Sequence, residues 1–177
     1  MFYPRMDFFV SQAKPMNVSR VDHIYLAVSD LDKSEVFYDR VMSALEFKKG
    51  IAPIGGEPHF HYFNKHLQIS IRPARTKSVF DPYAPGLHHI CLEVPSRQEV
   101  DQAVDSLGQI GVHISIARAY PEYADDYYAT FFEDPDGIRF EIVARRNDRD
   151  LILNHWDELE GFVNPVRKLK EKLVFTD

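Results

Sequence analysis

Two histidines occupy matching places in two similar stretches of this chain. Residues 21–28 read VDHIYLAV and residues 87–94 read LHHICLEV, so histidine, isoleucine, leucine and valine recur in the same order and spacing. Each stretch alternates apolar with other residues, which predicts a strand with one buried face. Because successive side chains of a strand point to opposite faces, His23 and His89 fall opposite the apolar residues, where an imidazole could bind a transition metal.

A glutamine and a glutamate are two further candidate ligands on later strands. Gln68 and Glu141 alternate with the apolar residues that define the other face of their strands, namely Leu67, Ile69, Ile71, Phe140 and Ile142. If the two sheets curl toward each other, the four nitrogen and oxygen donors converge. Such a set suits a divalent transition metal, and two histidines with one carboxylate also form the facial set of non-haem Fe(II) oxygenases. The lack of a thiolate disfavours a closed structural zinc site.

The elements that must hold these residues follow the same order twice. Each histidine strand is followed by a helical pattern, and Ser96 with Glu99 forms a capping box at the start of the second helix. Three further strands are predicted after each helix, near residues 45–48, 59–64 and 67–72 in the first half and 113–117, 127–133 and 138–144 in the second. Asp134-Pro135-Asp136-Gly137 predicts a tight turn between the last two strands. The expected fold class is α+β, with two tandem βαβββ modules forming a curled mixed sheet around a central cavity.

The domain boundaries follow from this repeat. An arm over residues 1–19 precedes a domain over residues 20–147, whose modules span residues 20–73 and 86–147. Residues 148–177 are predicted to form a C-terminal helical extension, with one amphipathic helix over residues 150–162. Asn164-Pro165 opens a second helix, because asparagine can cap a helix and proline favours its first position. The extension is expected to cover a sheet edge, a cavity mouth or a subunit interface.

Composition excludes several classes of partner. The 177 residues suffice for one ordinary domain, and a net charge of −6 argues against nucleic acid as the partner. The basic run at residues 167–172 is interrupted by Glu171 and reads as a solvated helix face. A single cysteine, Cys91, allows no intrachain disulfide, and no run approaches the ~18 apolar residues that span a bilayer. The N-terminus does not have the pattern of a signal peptide, so we expect a cytoplasmic protein without a membrane partner.

Three motifs carry a resemblance to a known family over about residues 20–145. His23-Ile24-x-Leu26-x-Val28, followed by Ser34-x-x-Phe37-Tyr38, resembles the opening motif of glyoxalase I. Residues 86–94 are similar to the second-module opening of methylmalonyl-CoA epimerase, and residues 132–141 resemble the closing motif of glyoxalase-like and dioxygenase-like proteins. Together these motifs resemble the vicinal-oxygen-chelate superfamily of glyoxalases, bleomycin resistance proteins and extradiol dioxygenases.

This resemblance implies a metal site and a reaction. In the family, the histidine that opens each module and the acidic or amide residue on its last strand bind a divalent ion. By position these residues are His23, Gln68, His89 and Glu141. The ion would be Zn, Ni, Co, Mn or Fe, and it would stabilise negative charge on vicinal oxygens of the substrate. We therefore predict a lyase or isomerase, similar to lactoylglutathione lyase, that acts on a small oxygenated substrate through an enediolate.

Proton transfer in such a reaction needs a base beside the metal. The resemblance assigns this role to Glu141, and His59 and His61 are further catalytic candidates if their strand face lines the cavity rather than the solvent. Three tyrosines could line the cavity mouth or serve only in packing: Tyr123, Tyr127 and Tyr128. For Cys91, which shares the face of His89, a small buried hydrophobe is the expected role.

Two other functions stay open. The first is an Fe(II) extradiol-type dioxygenase, which would take up oxygen with a catechol. The second is a metal-free protein that sequesters a small molecule or drug, although the complete ligand set argues against it. Members of the family also exchange modules between subunits. A homodimer is therefore expected, with the site formed either within one chain or across the dimer.

Overall fold

The computed structural model describes residues 17–76 and 78–174. Most of the predicted N-terminal arm, residues 1–16, therefore lies outside the described residues, as do residues 175–177 of the predicted extension. Over the described ranges, no helix is long and apolar enough to cross a membrane.

The first module folds as one strand, one helix and three strands. Its elements are β1 (His23–Val28), α1 (Leu31–Ala44), β2 (Lys48–Ile51), β3 (Phe60–Phe63) and β4 (Gln68–Pro73). The sheet order is β1-β4-β3-β2, and β1 runs parallel to β4 while the other neighbours are antiparallel. The first and last strands of the module therefore lie side by side, with β1 at the sheet edge.

The second module repeats this arrangement. Its elements are β5 (Ile90–Glu93), α2 (Arg97–Gln109), β6 (Arg118–Ala119), β7 (Tyr128–Glu133) and β8 (Arg139–Ala144). The sheet order β5-β8-β7-β6 again places the first strand parallel to the last and at an edge. The predicted tandem βαβββ architecture is confirmed.

Both module helices begin with a side-chain cap, and that of the second helix is the predicted Ser96. The Asp30 carboxylate accepts a hydrogen bond from the backbone amide of Lys33 at 3.0 Å, which caps α1. In α2, the Ser96 hydroxyl accepts from the amide of Glu99 at 3.4 Å and donates to the Glu99 carboxylate at 3.1 Å. These side chains satisfy amides that have no partner within the helix, so each helix starts directly after its strand.

The two modules pack through their helical faces, which leaves the other face of each sheet open. One continuous core contains the apolar side chains of both modules. At its centre, the buried hydroxyl of Tyr38 in α1 donates to Asp134 at 2.8 Å, and the Tyr38 ring lies 6.1 Å from that of Phe140. Asp134 opens the predicted turn, in which Gly137 has φ +85°. The turn therefore also fastens the second hairpin to the first helix.

Two strand predictions need correction. The strand predicted over residues 45–48 begins only at Lys48, because the chain turns at Glu46 with φ +62° after α1. The strand predicted over residues 113–117 is reduced to a bridge at Ile114. There the Ser115 hydroxyl accepts from the amide of Phe131 and replaces a ladder hydrogen bond, so pairing resumes at β6.

The C-terminal extension is divided more finely than predicted. The helix expected over residues 150–162 is instead α3 (Asn147–Asn154) followed by a 3-10 turn at Trp156–Glu158. Asn154 and Asp157 favour turns over helix interiors, which explains the break. The second helix, α4 (Pro165–Val174), starts at the predicted proline.

Candidate functional site

The open face of the first sheet carries His23 and Gln68. These residues are direct neighbours on the parallel strands β1 and β4. The His23 side chain is 51% exposed, and its Nδ1 lies 2.9 Å from a carboxylate oxygen of Asp22. The predicted side-chain alternation is confirmed, since Leu26 and Val28 are buried in the core on the opposite face.

Gln68 is held by a chain of hydrogen bonds. Its Nε2 donates to the buried hydroxyl of Ser70 at 2.9 Å, and the Ser70 oxygen lies 2.9 Å from Nδ1 of His61. Since the serine hydroxyl accepts from Gln68, its own hydrogen is available to His61 Nδ1. This arrangement leaves Oε1 of Gln68, the atom that a cation would bind, outside the chain of hydrogen bonds. It also gives neutral His61 its hydrogen on Nε2.

His59 and His61 share this open face, so the structure places both catalytic candidates on the side of Gln68. Their rings stack with centroids 6.2 Å apart, and the edge of Tyr25 contacts both. His59 is buried, and its Nδ1 lies 2.9 Å from the carbonyl oxygen of Glu57. Burial, together with the neighbouring His59, lowers the pKa of His61. His61 is therefore neutral at pH 7.

The second sheet brings His89 and Glu141 together. Nε2 of His89 lies 3.2 Å from Oε2 of Glu141, and Oε1 of Glu141 accepts from the Tyr127 hydroxyl at 2.6 Å. The Glu141 side chain is only 3% exposed, and within residues 17–76 and 78–174 it has no lysine or arginine as an ion-pair partner. Burying a carboxylate without a cation is costly. The His89–Glu141 pair therefore supplies two candidate ligands for a cation.

The strand registers correct the predicted equivalence of Gln68 and Glu141. Ser70 pairs with Tyr25, two residues after His23, whereas Glu141 pairs with Cys91, two residues after His89. Ser70, not Gln68, therefore occupies the repeat position of Glu141. The Gln68 amide donates to the Ser70 hydroxyl, so the first sheet has an amide beside the position at which the second sheet has the Glu141 carboxylate.

The structure corrects the predicted role of Cys91 and decides between the two roles considered for Tyr128. Cys91 is exposed on the open face rather than buried as a small hydrophobe. Partial desolvation of its thiol and the nearby Glu141 carboxylate raise the pKa of Cys91 to about 12, so the thiol stays protonated at neutral pH. Tyr128 points to the helical side of its strand, where its hydroxyl donates to Asp101 of α2 at 2.8 Å.

A cavity of about 690 Å³ opens beside the second pair of candidate ligands. Its wall includes Tyr123 and Tyr127, for which the sequence left cavity lining and packing open, and two arginines that the sequence did not single out, Arg139 and Arg145. The other lining residues are Tyr83, His88, His89, Glu122, Phe131 and Glu141. The signal that could have found the arginines was the alternation itself, because both lie an even number of residues from Glu141.

The two pairs of candidate ligands do not meet within one chain. Among the described residues, no three side chains of histidine, cysteine, aspartate or glutamate are placed to hold a metal ion. His23 and Gln68 belong to one sheet, whereas His89 and Glu141 belong to the other. The expected convergence of all four donors through curling of the sheets is therefore not seen in the single chain.

Comparison with known proteins agrees with the fold. The chain is 30% identical over 127 residues to the metallothiol transferase FosB of Lysinibacillus sphaericus, covering 72% of this chain and 83% of the relative. A glyoxylase/bleomycin resistance protein/dioxygenase domain from Frankia has a similar structure, with a TM-score of 0.61, 25% identity and coverage of 73% of this chain and 100% of that one.

A lactoylglutathione lyase from Agrobacterium tumefaciens shares the fold, with a TM-score of 0.56, 18% identity and coverage of 73% and 96%. The family model of the Glyoxalase/Bleomycin resistance protein/Dioxygenase superfamily matches residues 20–142. This chain therefore belongs to the Glyoxalase/Bleomycin resistance protein/Dioxygenase superfamily.

Proposed function

We propose that this protein is a metal-dependent lyase or isomerase that acts on a small oxygenated substrate. The ion would be held by His23, Gln68, His89 and Glu141, and its identity would be Zn, Ni, Co, Mn or Fe. The observation that carries this proposal is the buried Glu141 carboxylate, which is oriented by Tyr127 and His89 but has no described lysine or arginine as a partner. Imidazole, amide and carboxylate donors suit a divalent transition metal.

A second copy of the chain would complete the site. Each chain offers two half-sites on separate open faces, and β1 and β5 are edge strands that can accept a partner. In a two-fold dimer, His23 and Gln68 of one copy can meet His89 and Glu141 of the other, which gives two identical sites. The proposal therefore includes a homodimer.

Glu141, His59 and His61 are the candidate groups for proton transfer. When bound, the cation would stabilise negative charge that develops on the substrate oxygens. Glu141 is the proposed base, since the Tyr127 hydroxyl holds one of its oxygens and the other lies 3.2 Å from Nε2 of His89 on the cavity wall. His59 and His61 are the second candidates. When neutral, His59 donates from Nδ1 to Glu57 and keeps Nε2 free to accept a proton, whereas His61 carries its hydrogen on Nε2.

Metal content tests the proposal without an assay of activity. Wild-type protein and Glu141→Ala would be reconstituted with each of the five metals and measured by plasma mass spectrometry. Glu133→Ala is the matched control, because Glu133 is an exposed glutamate of the same hairpin. We expect near-stoichiometric metal in the wild type and the control, and loss of metal in Glu141→Ala.

The identity of the metal separates the alternative functions. Iron as the retained ion would direct the work to oxygen-uptake assays with catechols, as for the dioxygenase alternative. No binding of any of the five ions would refute the enzyme proposal and favour a metal-free binding protein. The 30% identity to a metallothiol transferase supports a second candidate reaction, addition of a thiol to an oxygenated substrate, which an assay of thiol consumption would detect.

Mixing two deficient variants tests where the site forms. His23→Ala and Glu141→Ala would each lack a complete site as homodimers. In a mixed dimer, one site takes its intact His23 from the Glu141→Ala subunit and its intact Glu141 from the His23→Ala subunit. Random mixing makes half of the dimers mixed, so about a quarter of all sites should be restored. No restoration, despite proven exchange of subunits, would refute a site shared between copies.

A further inference from the structure

We infer that the substrate carries an anionic group, a carboxylate or phosphate, which Arg145 binds beside the metal end of the cavity. This inference rests on the proposed metal site and adds the class of substrate.

Arg145 lies next to the groups that orient Glu141. It follows β8 directly and lines the same cavity as His89 and Glu141. The carbon at the centre of its guanidinium lies 5.7 Å from the centroid of the Tyr127 ring, and the hydroxyl of that ring is bonded to Glu141. One aromatic ring therefore connects the guanidinium to the candidate metal ligand.

The Arg145 guanidinium is not neutralised within the described part of the chain. It forms no ion pair and no hydrogen bond with a carboxylate there, and its guanidinium stacks on the Tyr127 ring. The charge of Arg145 contributes to lowering the pKa of Asp126, but the Asp126 carboxylate accepts hydrogen bonds from the backbone amides of Arg146 and Asn147 at 2.7 Å each. A guanidinium edge presents two parallel donors that match a carboxylate or phosphate.

Arg139 adds positive charge at the other side of Glu141. Its guanidinium lies 5.9 Å from the Phe131 ring and, like that of Arg145, has no described ion-pair partner. The two arginines are six strand residues apart, which corresponds to about 20 Å of backbone, so they cannot both bind the same anionic group. Arg139 faces Glu133 across the hairpin, so Arg145 is the better anchor.

The charges of the cavity wall favour an anion once a metal is bound. The wall contains two carboxylates, Glu122 and Glu141, and two arginines. A divalent cation on Glu141 would leave a net positive site of about 690 Å³, which is the size of a small-molecule pocket. An anionic substrate would then be bound at one end by the metal and at the other by Arg145.

Two matched ligands test this inference. Succinohydroxamate and its terminal amide carry the same metal-binding hydroxamate, and they differ only in a carboxylate against a neutral carboxamide of the same shape. Their affinities for the manganese-loaded dimer would be measured by calorimetry. We expect the wild type to bind the carboxylate about 10–100-fold more tightly than the amide, as charge-assisted hydrogen bonds predict.

Three single variants locate the source of that preference. Arg145→Gln should reduce the ratio of affinities to about 1–3 with the amide affinity unchanged, and Arg139→Gln should reduce it less, since its charge acts only from a distance. Arg97→Gln is the control, because Arg97 also stacks on a tyrosine ring, at 5.3 Å from that of Tyr128, but on the helical side of the sheet. Circular dichroism and metal content confirm that each variant is folded and loaded.

The outcomes separate this inference from the proposed function. Equal affinities of the two ligands in the wild type, or a preference that Arg145→Gln leaves intact, would overturn the anion site while the metal site stands. If manganese does not bind and neither hydroxamate is retained, the proposed function itself fails. Should Arg145→Gln not fold, Arg145→Lys keeps the charge but loses the double donor, and an unchanged preference in that variant would overturn the role of the guanidinium fork.

Discussion

The two modules share one topology and one register, yet their open faces carry different chemistry. The central row of the first sheet consists of Tyr25, Ser70 and His61. The equivalent row of the second sheet consists of Cys91, Glu141 and Phe131. The first module therefore presents neutral donors and bases, whereas the second presents a buried carboxylate beside an aromatic wall.

The arginines of the two faces differ in the same way. Arg72 of β4 is bound by Glu57, which neutralises it within the first module. Arg139 and Arg145 of the second module have no such partner among the described residues. A repeated fold copies backbone positions but not side-chain charge, so each half can serve one part of a shared site. In this protein the second half has the buried carboxylate and, among the described residues, two arginines without an ion-pair partner.

The largest expected effect comes from giving the second module the residue that the first module has at the position of Glu141. Glu141→Ser installs the residue of the equivalent position and removes the carboxylate. We expect metal affinity to fall by more than about 100-fold, because even residues that only orient a metal ligand contribute 10–100-fold. Isothermal titration with manganese measures this change. Retention of wild-type affinity would mean that Glu141 is not a ligand.

The reverse substitution, Ser70→Glu, places a carboxylate in the first module. Ser70 is fully buried, so without metal the variant should lose about 2–3 kcal/mol of unfolding free energy, as an unpaired buried charge requires. If the two central rows share one ion, added metal should raise its urea midpoint more than that of the wild type. A variant that metal does not stabilise would place Ser70 away from the ion.

A smaller effect is expected at the contact that joins the modules. Tyr38→Phe removes the hydroxyl that donates to buried Asp134, and we expect a loss of about 1–2 kcal/mol in unfolding free energy. Tyr128→Phe is the control, since its hydroxyl donates to Asp101 in an exposed setting and should cost about 0.5 kcal/mol or less. Equal urea midpoints for the two variants would contradict the special role of the buried contact.

The smallest effect concerns the extension, which only the second module carries. Burial opposes ionisation of Asp126, but hydrogen bonds from the amides of Asn147 and Arg146 outweigh it and lower the pKa of this carboxyl. Asp126→Ala should therefore cost about 1 kcal/mol at pH 7, as loss of a helix cap does.

The pH dependence of that loss has a defined sign. Because the folded pKa of Asp126 lies below its unfolded value of 3.8, its contribution is complete above that pH and disappears as pH falls through the lower folded pKa. The difference between wild type and Asp126→Ala should shrink accordingly in urea titrations at decreasing pH. A constant difference would show that the charge of the carboxylate does not stabilise α3.

The sequence predicted much of the fold because the signals for it are local. Period-two alternation placed His23, His89 and Glu141 on the open faces, and the capping box of Ser96 and Glu99 marked where the second helix begins. These features depend on neighbours within a few residues, so one chain read in order is enough to find them. The same alternation places Arg139 on the open face, because it lies two residues before Glu141.

Other features were decided only by tertiary structure. The pairing of β4 with β1 made Ser70, rather than Gln68, the counterpart of Glu141, and strand register cannot be read from either strand alone. The packing of both modules through one helical core separated the two pairs of candidate ligands. The sequence by itself therefore determined which residues reach the open faces, because alternation is a property of the extended backbone. Which sheet faces come together depends on how the apolar faces of the two modules bury each other from water, and that is a property of the assembled protein.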